Sequence, residues 1–395
     1  MAPFDFLWFL LPLAAASGWL VGRYGKHRRE SAAAADDLRS NYFKGINYLL
    51  NEQPDKAIEA FIKVLEVDSE TVETHLALGN LYRRRGEVDR AIRIHQNLIA
   101  RPHLESEQRS EALLELGHDY LSAGLLDRAE NLLQELADNG DYRVQALRQL
   151  IDIYEQEKDW EKAIDSARLL EKATGNHLGP IIAHYQCELA ERFRDSDDTD
   201  RALELVKKAR ATHDACVRAS ILEGDILTDI DEHERAIRAY RRVEEQDADY
   251  VPETIERMQY CYRALHRPND MDEYLNGLME RYGWITPMLA LADLKHDRQG
   301  TQGAIEFISE QLRRRTSVRG LDRLLELELE LELENGDAEK GAHVSILKDL
   351  TGELLSDRPK YNCLHCGFPA KLLHWQCPSC KHWNTIKPIQ GVEGE

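Results

Sequence analysis

Small and apolar residues recur along this chain at a spacing of 34 residues. Ala57, Ala91, Ala129, Ala163, Ala202, Ala236, Ala304 and Ala338 follow one another at intervals of 34, 38, 34, 39, 34, 68 and 34. Nine residues before the alanine comes a large ring in the first five units: Tyr48, Tyr82, Tyr120, Tyr154 and Phe193. Twelve before it comes a small residue, namely Gly45, Gly79, Gly117, Ala190, Gly224 and Ala292. Four after it stand Phe61, His95, Leu133, Ala167, Val206, Tyr240 and Ile308, and seven after it Val64, Leu98, Leu136, Leu170, Ala209 and Val243. Apolar positions three and four apart predict helices. Phase kept at several positions at once predicts a helix-turn-helix unit, in which small residues let two helices approach and the ring fills the space between them. Such a unit cannot bury its apolar face alone, so it stacks on its neighbours.

Glycine, tyrosine and alanine at these offsets resemble the tetratricopeptide repeat. The resemblance implies an all-α superhelical solenoid of about nine units over residues 38–352, degenerate after 250. The two long intervals place extra residues near 101–110 and 175–180, expected in loops on one edge or as one added helical turn. In the seventh unit Asp270 stands where the alanine belongs, and Lys295 and Glu326 replace a ring and a glycine in the eighth and ninth. Tyr260, Tyr262, Tyr274, Tyr282 and Trp284 read as core filling of a diverged repeat, with a partner-binding surface as the alternative. The run LLELELELELE at 324–334 alternates like a strand, but leucine and glutamate favour helix. It reads as a buried repeat helix with a glutamate face, stopped by Gly336 and followed by a cap at Asp337.

Two stretches break the period. Residues 6–22, FLWFLLPLAAASGWLVG, are uncharged and just long enough to cross a bilayer as a helix. Arg23, Lys26, Arg28 and Arg29 follow the run and only Asp5 precedes it, which turns the N-terminus outward and places the repeats in the cytoplasm. Ala14 to Ala16 would suit a signal-peptide cleavage site, but no basic region precedes the run. The reading is an uncleaved transmembrane anchor over 1–22, joined to the repeats by a basic neck over 23–37.

The other stretch is the tail, YNCLHCGFPAKLLHWQCPSCKHWN, where helical periodicity stops. Cys363, Cys366, Cys377 and Cys380 form two C-x2-C turns ten residues apart. The two-residue gap points both thiolates of a turn inward, and two facing turns make a tetrahedral S4 metal site. A segment this short cannot bury enough surface to fold unaided, so the metal supplies its folding energy. Gly367 and Pro378 suit the tight turns, and Tyr361, Phe368, Trp375 and Trp383 are expected to wrap the site. The pattern resembles a rubredoxin-like zinc ribbon over 357–388, with a linking loop shorter than a rubredoxin's. Zinc is the expected ion, with iron as the alternative because S4 geometry suits both. Two disulfides are disfavoured on the cytosolic side. A closed S4 shell leaves no position for substrate and implies a structural and docking role. His365, His374 and His382 then read as surface residues, and Cys187, Cys216 and Cys261 as unpaired core fillers.

Charge narrows the function classes. With 71 acidic and 51 basic residues the net charge is −20, a balance that disfavours nucleic acid and anionic lipid head groups. The tail alone is basic: Arg358, Lys360, Lys371, Lys381 and Lys387 face one acidic residue. That patch suits either phosphate or, more economically, the acidic face of its own repeats. No phosphate loop, dinucleotide turn, nucleophile elbow or H-E-x-x-H helix occurs, so the chain reads as a non-enzyme.

Anchor, repeats and four-cysteine ribbon, in that order, resemble the lipopolysaccharide assembly protein B family of Gram-negative bacteria over essentially the whole chain. The resemblance implies an inner-membrane adaptor that regulates lipopolysaccharide biosynthesis. It would deliver the deacetylase committing precursors to lipid A, of the LpxC type, to the membrane AAA+ protease FtsH. It also implies restraint by an inner-membrane regulator that senses lipopolysaccharide, and contact with lipopolysaccharide transport proteins. Two alternatives stay open: a membrane-tethered scaffold for envelope assembly without a proteolytic role, and a zinc-ribbon nucleic-acid binder.

Overall fold

The structure, a computed structural model, describes residues 17, 19, 40–67, 71–139, 141–335, 338–356, 358–392 and 394–395. The expected anchor and neck lie outside the described residues apart from Ser17 and Trp19, as do the Gly336 stop and the Asp337 cap. Among the described residues no helix is long and apolar enough to cross a membrane.

A first helix, α1, runs over 40–50. It is followed by α2 (Pro54–Val67), α3 (Val72–Arg84), α4 (Val88–Ile99), α5 (Ser106–Ser122), α6 (Leu126–Asn139), α7 (Arg143–Glu157), α8 (Trp160–Thr174), α9 (Gly179–Asp195) and α10 (Thr199–Thr212). Then come α11 (Val217–Asp229), α12 (His233–Gln246), a 3-10 turn η1 (Ala248–Tyr250), α13 (Pro252–Ala264), α14 (Pro268–Tyr282), α15 (Ile285–Arg314), α16 (Val318–Asn335) and α17 (Ala338–Ser356). The chain ends in three short strands, β1 (Tyr361–Cys363), β2 (Pro369–Ala370) and β3 (Ile386–Pro388), in an antiparallel sheet of order β2-β1-β3. It divides into two compact units, residues 1–158 with 172–174 and residues 159–171 with 175–395.

Within each unit the recurrent positions pack as their phase requires. Ala57, Ala91, Ala129, Ala163, Ala202, Ala236 and Ala304 are fully buried. A methyl group on Gly45 would lie 2.7 Å from the Phe61 ring, one on Gly79 2.3 Å from His95, and one on Gly224 2.3 Å from Tyr240. The residue twelve before the alanine therefore makes room for the side chain four after it. Gly224→Ala should cost about 1–3 kcal/mol through overpacking against Tyr240. Gly341→Ala, in α17 with open space around it, should instead stabilise by up to about 1 kcal/mol, and the two melting midpoints should move in opposite directions.

Two further regularities share this phase. The residue before the alanine is a cation that lies over the ring eight positions earlier: Lys56 on Tyr48 at 5.7 Å, Arg90 on Tyr82 at 5.5 Å, Arg128 on Tyr120 at 5.7 Å and Arg201 on Phe193 at 5.5 Å. The residue five before the alanine is left-handed: Glu52, Gly86, Gly124, Lys158, Asp197 and Asp231 all have φ between 55° and 80°. That residue ends the first helix of a pair, and the next N–H bonds back to the ring residue's carbonyl, as in Glu87 to Tyr82 and Asp198 to Phe193, both 2.9 Å.

These landmarks correct several expectations. In the seventh unit the left-handed residue is His266, so the packing position is Met271, 1 % exposed, and not Asp270, which pairs with Arg267 at the surface. The register slips by one because η1 occupies the connection before α13. The extra residues of the two long intervals lengthen helices by one turn: α5 and α9 have 17 residues where α3 and α11 have 13. Tyr262 and Trp284 are core residues, but Tyr260 and Tyr282 are exposed. The leucine-glutamate run is helical and buries Leu325 and Leu327, while Leu333 is 72 % exposed. Its burial lies in its first half, where Leu324 and Leu327 join Ile285, Met288, Ala304 and Ile308 in one core. Cys187, Cys216 and Cys261 are buried free thiols, as expected of core fillers.

In the first unit the pattern admits one buried polar set. His95 and Asp119, both fully buried, meet at 2.6 Å, and Arg83 spans Asp119 at 2.8 Å and Glu115 at 2.7 Å. Burial alone would raise the Glu115 carboxyl, yet His118 and Arg83 hold it down at about 2.

Candidate metal centre and its seat

The ribbon is built from two matching turns. The Gly367 N–H bonds to the Cys363 carbonyl and the Lys381 N–H to the Cys377 carbonyl, both at 2.9 Å. Each turn closes on a left-handed residue directly after its second cysteine, Gly367 at φ 76° and Lys381 at φ 60°. Glycine takes that conformation freely and lysine does so at some cost. The second turn therefore depends on Lys381 as well as the expected Pro378.

All four Sγ atoms lie within 4.8 Å of one another, with Cys363 to Cys380 at 3.8 Å and Cys366 to Cys377 at 3.7 Å. A tetrahedron with metal–sulfur arms of about 2.3 Å has edges of about 3.8 Å, so the sulfurs stand at the spacing an S4 ion needs. Cys363 and Cys377 are buried beside Ile386, whereas Cys366 is exposed and Cys380 half-buried. Burial would raise the Cys363 thiol, but Thr385 Oγ1 at 3.3 Å and the N–H groups of Cys366 and His365 draw it down to about 6. Cys380 accepts the His382 N–H, but burial and the three neighbouring sulfurs push its thiol up to about 12. Four such sulfurs do not all ionise without a cation among them, which is the donor set of a thiolate metal site.

The tryptophans do not wrap this site as expected; Tyr361 and Phe368 do, while Trp375 and Trp383 face the repeats. Trp383 stacks on His184 of α9 at 5.2 Å and meets Tyr185 edge-on at 5.8 Å and Trp160 edge-on at 6.1 Å. The Arg218 guanidinium of α11 lies 5.9 Å from the same ring. Trp375 lies 5.4 Å from Tyr250 of η1 and, with Leu373, joins the core of α11 to α15. The repeats supply the flat apolar surface these rings need, so ring burial goes to the seat rather than to the metal.

Polar contacts fix the ribbon's orientation. Tyr250 donates to the Ile386 carbonyl at 2.9 Å and Tyr361 donates to Glu253 at 2.6 Å. Burial raises both phenols, helped by Asp247 and Asp249 in one case and Glu253 in the other, so both remain donors. Lys387 pairs with Asp247 and, at 2.9 Å, with Asp249. At least this basic residue of the tail meets an acidic face of its own repeats. The Glu395 side chain accepts from the Thr286 N–H at 3.0 Å and from Arg319 at 2.6 Å. No periodicity marks Glu395, so sequence reasoning missed it.

Arg218 is 4 % exposed and pairs with Glu188 at 2.8 Å and Glu191 at 2.9 Å. His184 beside it is also 4 % exposed, and burial, then the Arg218 and His213 charges, hold its imidazole down to about 3. The seated ribbon thus keeps His184 neutral, whereas an exposed imidazole titrates near 6.5. The undocked state binds the extra proton, so docking is at full strength above about pH 6.5 and weakens as pH falls towards 3. Tryptophan fluorescence followed against pH should show the loss, and His184→Gln should flatten it.

Residues 361–388 match the family described as Rubredoxin metal binding domain. Residues 38–71, 74–108, 114–177 and 187–251 match families described as Tetratricopeptide repeat. The chain is 42 % identical over 390 residues to lipopolysaccharide assembly protein B of Escherichia coli K12, covering 99 % of both chains. It is 32 % identical over 401 residues to the protein of that name from Haemophilus influenzae Rd, covering 98 % of this chain and 99 % of that one. A helical repeat array followed by a rubredoxin-like four-cysteine metal-binding site is what the matched families and the geometry describe alike, and the chain belongs to the lipopolysaccharide assembly protein B family.

Proposed function

We propose that this protein is a non-enzymatic adaptor in lipopolysaccharide assembly, held at the bacterial inner membrane by residues 1–22 and a neck over 23–37. Repeats over 38–352 and the metal domain over 357–388 act in the cytoplasm and together hold the client. In this reading Cys363, Cys366, Cys377 and Cys380 hold one structural zinc ion, which has no geometric preference of its own and suits a closed tetrahedral S4 shell. The observation that carries the reading is similarity, at 42 % and 32 % identity over 99 % and 98 % of the chain, to relatives named for lipopolysaccharide assembly. The ribbon's seat on α9, α11 and η1 supports its docking role, because a metal domain wedged against repeats shapes a surface without offering a reactive position.

The finer reading is delivery of the LpxC-type deacetylase to the membrane protease FtsH, with an inner-membrane lipopolysaccharide sensor and transport proteins as further partners. An anchored adaptor raises the client's effective concentration beside a membrane protease. The half-life of the deacetylase in cells depleted of this protein, then resupplied, tests it. A long half-life that shortens on resupply is expected. An unchanged half-life removes the proteolytic role and leaves a membrane-tethered assembly scaffold.

A further inference from the structure

Outside the S4 shell, one group of donors is brought together by the two turns. His365 sits inside the first C-x2-C turn and His382 two residues past the second. Their rings stack at 3.7 Å with 20° between planes, and both side chains are exposed. One donor atom from each ring and the Cys380 Sγ lie within 4.8 Å of one another. A zinc tetrahedron with nitrogen arms of about 2.0 Å and sulfur arms of about 2.3 Å needs edges of about 3.3–3.6 Å. Exposed rings close a gap of that size by side-chain rotation alone.

Second-sphere bonding also favours a ligand. His382 Nδ1 lies 2.9 Å from the Cys380 carbonyl, which makes Nδ1–H the donor and leaves Nε2 with its lone pair free. Four thiolates around one divalent ion carry a net negative charge, and the side of that shell facing solvent is the one with Cys366 and Cys380. A half-exposed thiolate there retains a lone pair for a second soft or borderline cation.

We infer that His365, His382 and a bridging Cys380 thiolate form an outer site for a second divalent ion of the zinc class, completed by solvent and lying on the S4 centre. The inference rests on the S4 reading above, and one measurement separates the two. Full-length wild-type protein and H365Q/H382Q are equilibrated by dialysis against graded zinc, and bound metal per chain is measured by elemental analysis. Wild type should hold one equivalent more than the double variant, which should keep the first equivalent and an unchanged melting midpoint. Equal stoichiometry in the two proteins overturns the outer site and leaves the S4 centre standing. No tightly held first equivalent in either protein overturns both.

Discussion

Removing the metal with a chelator should release the ribbon from the repeats while leaving the helices folded. The three strands have three, two and three residues, and the ribbon's own buried core is Cys363, Cys377 and Ile386. That core is far too small to offset the conformational entropy of the segment. A structural ion contributes on the order of 10–16 kcal/mol to such a fold, so without it the ribbon has no folded state to occupy. Trp375 and Trp383 would then leave Tyr250, His184 and Tyr185 for water. Tryptophan emission should shift to the red, amides over 361–388 should exchange freely, and helical circular dichroism should change little. Serine at both Cys363 and Cys366 should reproduce this state. Protected ribbon amides after complete chelation would sink the idea that the ion is its folding energy.

The second large effect lies at Arg218. Arg218→Ala should weaken the seated state by about 3 kcal/mol, roughly a hundredfold in the docking equilibrium. The substitution removes the cation beside Trp383 and leaves Glu188 and Glu191 facing each other without a counter-charge. The figure is at the low end of the range for a broken buried pair, because Glu191 is 42 % exposed and water screens it. Burial already raises the Glu191 carboxyl against the pull of Arg218, so removing the guanidinium should raise it further. Glu188→Gln with Glu191→Gln in the Arg218→Ala background should restore part of the loss. The measurement is the rate of metal loss to a chelator, which rises as the ribbon spends more time undocked. An unchanged rate would mean that the stacked rings alone hold the seat.

Local repetition made most of the architecture legible. The glycines, rings and alanines act between the two helices of one unit, so their spacing survives in the chain as a 34-residue phase, and the four cysteines act within two turns a few residues long. The cation over each ring was readable by the same logic, at Lys56, Arg90, Arg128 and Arg201, but a charge on a helix reads first as solvated surface. The slip to Met271 was hidden because intervals of 35 and 33 add to the 68 expected of two regular units.

By itself, then, the sequence determined the repeat, the four cysteines of the metal-binding site and the small positions that let helices close, since each depends on neighbours at fixed separation. Tertiary structure alone decided that Trp383 stacks on His184, that Lys387 reaches Asp249 across 138 residues, and that Glu395 bonds to Thr286. No spacing encodes such contacts, because their partners come together only once the helices stack and the ion has closed the ribbon. The same holds for His365 and His382, unremarkable as surface residues in the chain and placed ring on ring beside Cys380 by two turns folding towards one metal.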